Sequence, residues 1–148
     1  MMKHTLYKLS IIGAALTIAA LQSCKKDDDD KSRSELLVGT WNGYQTGLDS
    51  NNNGTWELSE RRNLPSTANG QSSFNADGTG RLKGDTTLAG VPSTWVLSNN
   101  DNDLRIIATF PNMLSDTVDF RVVSLSASEL ILKLTSDSPS TYTSLIKQ

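Results

Sequence analysis

The sequence predicts an all-β domain, an antiparallel up-and-down meander of about eight short strands closed as a barrel or, alternatively, packed as a β-sandwich. Three observations lead there. Apolar residues recur at every second position in "LRIIATF", "DTVDFRVV" and "ELILKL". Clusters of Asn, Asp, Gly and Ser separate these segments. No long stretch carries the spacing of an amphipathic helix.

The strands follow in order. "LRIIATF" places Leu104, Ile106, Ala108 and Phe110 on one face, and "DTVDFRVV" does the same with Val118, Phe120 and Val122. In "ELILKL", Leu130, Leu132 and Leu134 point inward while Ile131 and Lys133 point out. Such alternation marks strands with one buried face. "NADGTG" around Asp77-Gly78, "SNNDND" around Asn100 and "SLSASE" around Ser126 supply turns. Asp-Gly and Asn-rich pairs tolerate the positive φ angles that tight hairpins require. Trp41, Phe74, Trp95, Phe110, Phe120 and Tyr142 fall where inward faces are expected. A small barrel can be packed solid by its own side chains, so a filled or nearly filled core is expected.

The front of the chain is of another kind. "MMKHTLYK" carries Lys3 and Lys8, and an apolar run follows from Leu9 to Leu21. That run of 13 residues is too short to cross a hydrocarbon core, which needs about 20. A charged start, a short apolar middle and small residues near its end form the pattern of a secretory signal. "KKDDDDKSRS" then offers dense charge and nothing to bury, so it reads as a solvated tether. The expected organisation is a signal over 1–23, Cys24 and tether over 24–34, and the folded domain over 35–148. Ser34–Gln148, 115 residues with eight basic and twelve acidic side chains, has a net charge near −4. That balance argues against nucleic acid, which needs a basic face. A monomer is expected.

Leu21-Gln22-Ser23-Cys24 resembles the lipobox of bacterial lipoproteins. The resemblance implies that Cys24 takes a diacylglycerol thioether and further acyl chains of the palmitate type, and so anchors the chain in a membrane. Two or more chains hold firmly, since each buried methylene contributes about 0.8 kcal/mol. Lysine followed by acidic residues directly after Cys24 resembles the export signal of Bacteroidota lipoproteins. This implies an outer-membrane location, with the domain displayed at the cell surface.

A second resemblance lies in the domain itself. Gly39-Thr40-Trp41 in "LLVGTWNGY" is similar to the Gly-x-Trp opening strand of lipocalins. "SFNADGTG", "TWVLSNNDNDLRI", "LSASELILKL" and "YTSLIK" are similar in order and spacing to lipocalin-like lipoproteins of the Bacteroidota, over nearly all of Leu36–Lys147. The resemblance implies that Trp41 plugs the closed end beneath a basic side chain, Lys133 or Lys147. It also implies that some aromatics wall an apolar cavity for a small hydrophobic ligand. The Thr-Asp-Tyr signature of true lipocalins is missing, and "DTVDF" is the nearest stretch to it. Two functions therefore stand side by side. One is a small-molecule binder; the other is a solid-core module that binds partner proteins or glycans through its loops.

Catalysis is not expected. His4, the only histidine, leaves with the signal, and Cys24, the only cysteine, is lipidated. Ser-His-Asp and Cys-His arrangements are thereby removed, as are zinc sites built on His or Cys. Glu57, Glu60, Asp116 and Asp119 remain, but a carboxylate pair needs a defined separation in a cleft.

The stretch "DSNNNGTWELSE" matches a calcium loop. Ligands belong at loop positions 1, 3, 5, 7, 9 and 12, with glycine at 6. Asp49, Asn51 and Asn53 take the first three positions, Gly54 the turn, Thr55 a carbonyl, Glu57 the ninth position and Glu60 the bidentate twelfth. A structural Ca²⁺ site is the expectation, with an Asx-type polar turn as the alternative. A calcium loop of this kind is normally followed by a helix that swings the last glutamate back. "TWELSERRNLP" suits a strand as well as a short helix, and as a strand it would turn Glu60 away. Arg61 and Arg62 beside the loop read as solvated, or as a grip on an acidic partner.

Overall fold

The computed structural model describes residues 31–65, 70–84, 89–111, 115–134 and 139–148. The expected signal over 1–23 and Cys24 lie outside the described residues. Lys31–Gln148 forms one compact unit with its own closed sheet and core, which makes it a self-contained folding unit.

A short helix opens it. The Ser32 hydroxyl accepts from Glu35 N while the Glu35 carboxylate accepts from Ser32 N, a capping box that starts α1 (Arg33–Leu37). The last charged residues of the expected tether thus belong to a folded element. Leu36 and Leu37 of α1 are buried.

Among the described residues nine strands follow: β1 (Gly39–Leu48), β2 (Arg61–Asn63), β3 (Gln71–Phe74), β4 (Thr79–Lys83), β5 (Val91–Ser98), β6 (Asp103–Ala108), β7 (Asp116–Leu125), β8 (Glu129–Leu134) and β9 (Thr141–Lys147). Each pairs antiparallel with its neighbour, and β1 also pairs with β9 from Trp41–Lys147 to Leu48–Thr141. That pairing closes an eight-stranded barrel of β1 and β3–β9, with β2 as one extra strand. A sandwich is excluded, because β1 and β3–β9 pair continuously around one closed sheet and do not form two separate sheets.

The extra strand has a simple origin. One edge of β1 pairs first with β3 (Asn42 opposite Gln71) and then with β2 (Gln45 opposite Asn63). Strands β2 and β3 run the same way along that edge, so they are one barrel strand interrupted by residues 64–70. The turns behave as their composition requires. Asn99, Asn100 and Asp101 have φ of 53°, 52° and 62°, and Gly78 has φ of 81°.

Residues directly opposite across an antiparallel pair share a face, which sorts the barrel into inward and outward rows. Leu104–Phe120–Leu134 and Val122–Leu132–Thr143–Thr46 run inward. So do Leu125–Leu130–Leu145–Gly43, ahead of a one-residue bulge at Tyr44. The packed core combines Leu37, Trp41, Phe74, Leu104, Ile106, Val122, Leu130, Leu132 and Leu145. It lies toward the end of the barrel where α1 docks.

Trp41 is wholly buried there and donates its Nε1 to Leu37 O at 2.7 Å. Lys147 Nζ lies 5.0 Å from the Trp41 ring and donates to Leu36 O at 2.8 Å. Of the two lysines expected above Trp41, Lys147 takes the place; Lys133 sits over Tyr142 instead.

Two expectations about aromatics are corrected. Phe110 lies past the end of β6, half-buried. Tyr142 does not face inward: it is opposite Lys133 and Gly47 and points out of the barrel. It is nevertheless 1% exposed, because another part of the chain covers it.

Candidate functional site

The covering segment is the Asp49–Glu60 loop. It leaves the open end of β1, folds back over the outside of β1 and β9, and returns as β2. Trp56 fixes it there: the indole is buried, and its ring stacks on Tyr142 with centroids 5.6 Å apart and planes at 9°. Tyr142 Oη donates to Gly54 O at 3.0 Å. The Arg61 guanidinium lies 4.7 Å from the Trp56 ring and donates to Trp56 O. Arg61 is therefore a stacking residue, not the solvated side chain expected of it.

The loop's oxygens turn inward on its own backbone. Asp49, 2% exposed, accepts from Asn53 N through Oδ1 and from Gly54 N through Oδ2. Asn51 Oδ1 also accepts from Asn53 N, and Asn53 Oδ1 accepts from Thr55 N. Asn53 Nδ2 donates to Glu57 Oε1 at 2.8 Å. One 3-10 turn at Leu58–Glu60 brings Glu60 back, so that its Oε1 accepts from Ser50 N and its Oε2 from Glu57 N. The segment after the loop is thus both short helix and strand, and Glu60 swings toward the loop's start.

Asp49, Asn51, Asn53, Glu57 and Glu60 are joined in one hydrogen-bonded loop, and Thr55 enters it through its backbone N–H. Among the described residues, no group of three or more His, Cys, Asp or Glu side chains is placed to hold a metal ion. Asn51 and Asn53 oxygens and the Thr55 carbonyl would have to complete any calcium site.

A second feature lies at the open end. A cleft of about 340 Å³ is lined by Thr46, Leu48, Ser50, Ser59, Arg62 and Thr141, together with Gly47 and Glu60. Thr46, Arg62, Leu48 and Thr141 all belong to inward rows. Strand alternation separates the two arginines: Arg61 turns outward to Trp56, and Arg62 turns to the mouth. That split was readable from the adjacent pair once the strand was known; the cleft itself had no sequence signal.

The other carboxylates are scattered. Asp119 faces outward, held by Arg105 through Nε to Oδ1 at 2.7 Å and Nη2 to Oδ2 at 3.1 Å. This hydrogen-bonded guanidinium keeps the Asp119 carboxyl below the usual aspartate range. Asp116 lies opposite Ala108 on the inward side. The pair does not share a face.

No family model and no curated protein matches the chain. Solved structures do. A lipocalin-like protein from Bacteroides uniformis superposes with a TM-score of 0.53 at 18% identity, over 76% of this chain and 99% of that one. As-p18, an extracellular fatty acid binding protein, aligns with a TM-score of 0.42 at 15% identity, over 80% and 100%. The fold of this domain is accordingly that of a lipocalin-like barrel, eight antiparallel strands closed by β1 and β9.

Proposed function

We propose that the chain is a lipid-anchored, non-catalytic barrel that binds a small apolar molecule through its open end. The observation that carries this is the incomplete burial of several inward side chains at the end away from α1. Toward α1 the interior is sealed by Leu37, Trp41 and Leu145. Toward the other end, inward-facing Val91, Val118, Leu134 and Thr46 are only half-buried, and Leu48 is 48% exposed. Apolar side chains facing a concave, incompletely buried interior are what a hydrophobic ligand needs.

The test is uptake of a fluorescent fatty-acid probe by residues 31–148, with displacement by an unlabelled competitor. Saturable, displaceable binding supports the reading. No uptake would leave a solid-core module that works through its loops on proteins or glycans.

The anchor is Cys24, expected to carry the acyl chains and to place the domain at the outer membrane, facing outward. Mass spectrometry of the mature N-terminus reads the lipid directly. Protease treatment of intact cells reads the exposure.

The Asp49–Glu60 loop is proposed as a structural calcium loop, supported by the burial of Asp49 and the return of Glu60. The ion would take side-chain oxygens of Asp49, Asn51, Asn53, Glu57 and Glu60 and the carbonyl of Thr55, with a dissociation constant of about 10⁻⁴–10⁻³ M. Thermal unfolding in EDTA, calcium and matched magnesium decides it. A rise specific to calcium and lost in Glu60→Gln supports the loop; no shift returns it to a polar turn.

A further inference from the structure

We propose that Arg62 anchors the head group of the barrel's ligand, and that this ligand is an apolar chain ending in a carboxylate. The inference rests on the binding function proposed above and adds the chemistry of the ligand's polar end.

Arg62 is opposite Thr46 in the row Val122–Leu132–Thr143–Thr46–Arg62, so its side chain continues the inward face of the barrel at its rim. Among the described residues its side chain makes no hydrogen bond or ion pair. The contrast with its neighbours is sharp: Arg61 is stacked on Trp56, and Arg105 is paired with Asp119. An arginine beside a cleft of about 340 Å³, with no acid among the described residues paired to it, is a ready cation for a ligand.

The other polar groups of the cleft set the charge it accepts. Glu60 lines the same cleft, but both of its oxygens face backbone N–H groups of Ser50 and Glu57. The Thr46 hydroxyl is engaged by Tyr142 O at 3.0 Å. Ser59 offers a hydroxyl on the same rim. One guanidinium, with a carboxylate nearby, suits a singly charged head group better than a doubly charged phosphate. The planar guanidinium fork matches a carboxylate in two parallel hydrogen bonds. Exposed Leu48 lines the same cleft, and Leu134 of β8 and Val118 of β7 also face inward toward the open end, so apolar side chains are at hand for the rest of the ligand.

The experiment compares cis-parinaric acid with its methyl ester, on residues 31–148 and on Arg62→Gln. Arg121→Gln serves as control, since Arg121 faces outward opposite Asp103 and Lys133. Arg62 is exposed, so the substitution leaves the core intact. The wild-type domain is expected to bind the acid about tenfold more tightly than the ester, as one charge-assisted pair at a partly exposed rim provides. Arg62→Gln is expected to erase that preference without changing ester affinity, and Arg121→Gln to keep it. Equal binding of acid and ester by the wild type, or a preference that survives Arg62→Gln, overturns the head-group assignment and leaves the apolar binder standing. Failure of both probes to bind overturns the binder, and the head-group assignment with it.

Discussion

Trp56 and Tyr142 lie ring on ring outside the barrel, with the Arg61 guanidinium 4.7 Å from the indole ring and Lys133 5.4 Å from the phenol ring. Four side chains from a loop, β2, β8 and β9 thus form one cluster around a stacked aromatic pair. It joins the segment that follows β1 to the last strand of the chain. The outward face of β9 at Tyr142 is covered by the loop, and the Asp49–Glu60 loop is held to the barrel by something other than its polar residues.

The stack predicts that the loop unfolds with the barrel and not before it. Removing a buried Trp costs about 3–5 kcal/mol in a rigid core. A surface loop can partly collapse into the gap, so Trp56→Ala is expected near the lower end, about 3 kcal/mol. Tyr142→Phe keeps the ring contact and loses the bond to Gly54 O, for about 1 kcal/mol. Urea unfolding of residues 31–148 measures both. A Trp56→Ala cost below about 1 kcal/mol would mean that the loop is not coupled to the barrel.

Gly47 and Gly54 make a paired prediction. A Cβ at Gly47 would strike Glu60 O and come within 2.6 Å of Trp56 Nε1, because the loop lies directly on that strand. Gly54 has open space around it but φ of +80°. Gly47→Ala should therefore act by overpacking, about 1–3 kcal/mol, and shift Trp56 fluorescence. Gly54→Ala should cost about 1–2 kcal/mol of backbone strain and leave the indole's environment unchanged. Identical spectra for the two variants would contradict this division.

How much of this was legible follows from the range of each interaction. The strands around Leu104, Val118 and Leu130 were readable because alternation is local and each has one buried face. The closed end was readable in kind, since Gly39-Thr40-Trp41 fixes Trp41; the choice of Lys147 over Lys133 needed the register of β9 against β1. Tyr142 defeated local reasoning. Its burial comes from Trp56, a residue far away in sequence, and an outward aromatic under a loop has the same local pattern as an inward one. The loop's polar residues could be placed, because Asx-type bonds span only a few residues. The β2–β3 interruption could not, because nothing in "NLPSTANG" shows that both flanks pair with the same strand.

Two carboxyls predict the acid side of the titration. The Thr79 hydroxyl donates to Asp77 Oδ1 at 2.6 Å and Thr79 N to the same oxygen at 2.9 Å, which holds Asp77 below its ordinary value. Arg105 does the same for Asp119. A depressed folded-state value means stability that is present above the unfolded pKa, about 3.9, and lost as pH falls through the lower folded value. Both groups are exposed, so their effect on stability is small. Carboxyl carbon NMR should place both midpoints below the ordinary aspartate value. Thr79→Val should return Asp77 toward it, and Arg105→Gln should do so for Asp119. Ordinary midpoints in the unsubstituted domain would count against both contacts.

The docking of α1 predicts a coupling. Two donors reach its last two residues: Lys147 Nζ bonds Leu36 O, and Trp41 Nε1 bonds Leu37 O. Trp41→Phe retains most of the ring but leaves a buried carbonyl without its donor, about 1–3 kcal/mol. Lys147→Met keeps the stem over the indole and loses the bond and the cation–π contact, about 1 kcal/mol. Both changes release the same short helix, so the first should remove part of what the second can break. The double variant is therefore expected to cost less than the sum of the singles, by at least about 0.5 kcal/mol. Trypsin cleavage after Arg33 reads the same event, rising in each single variant and little further in the double. Additive energies with Arg33 still protected would mean that α1 is held by Leu36 and Leu37 in the core, and that the two hydrogen bonds act independently.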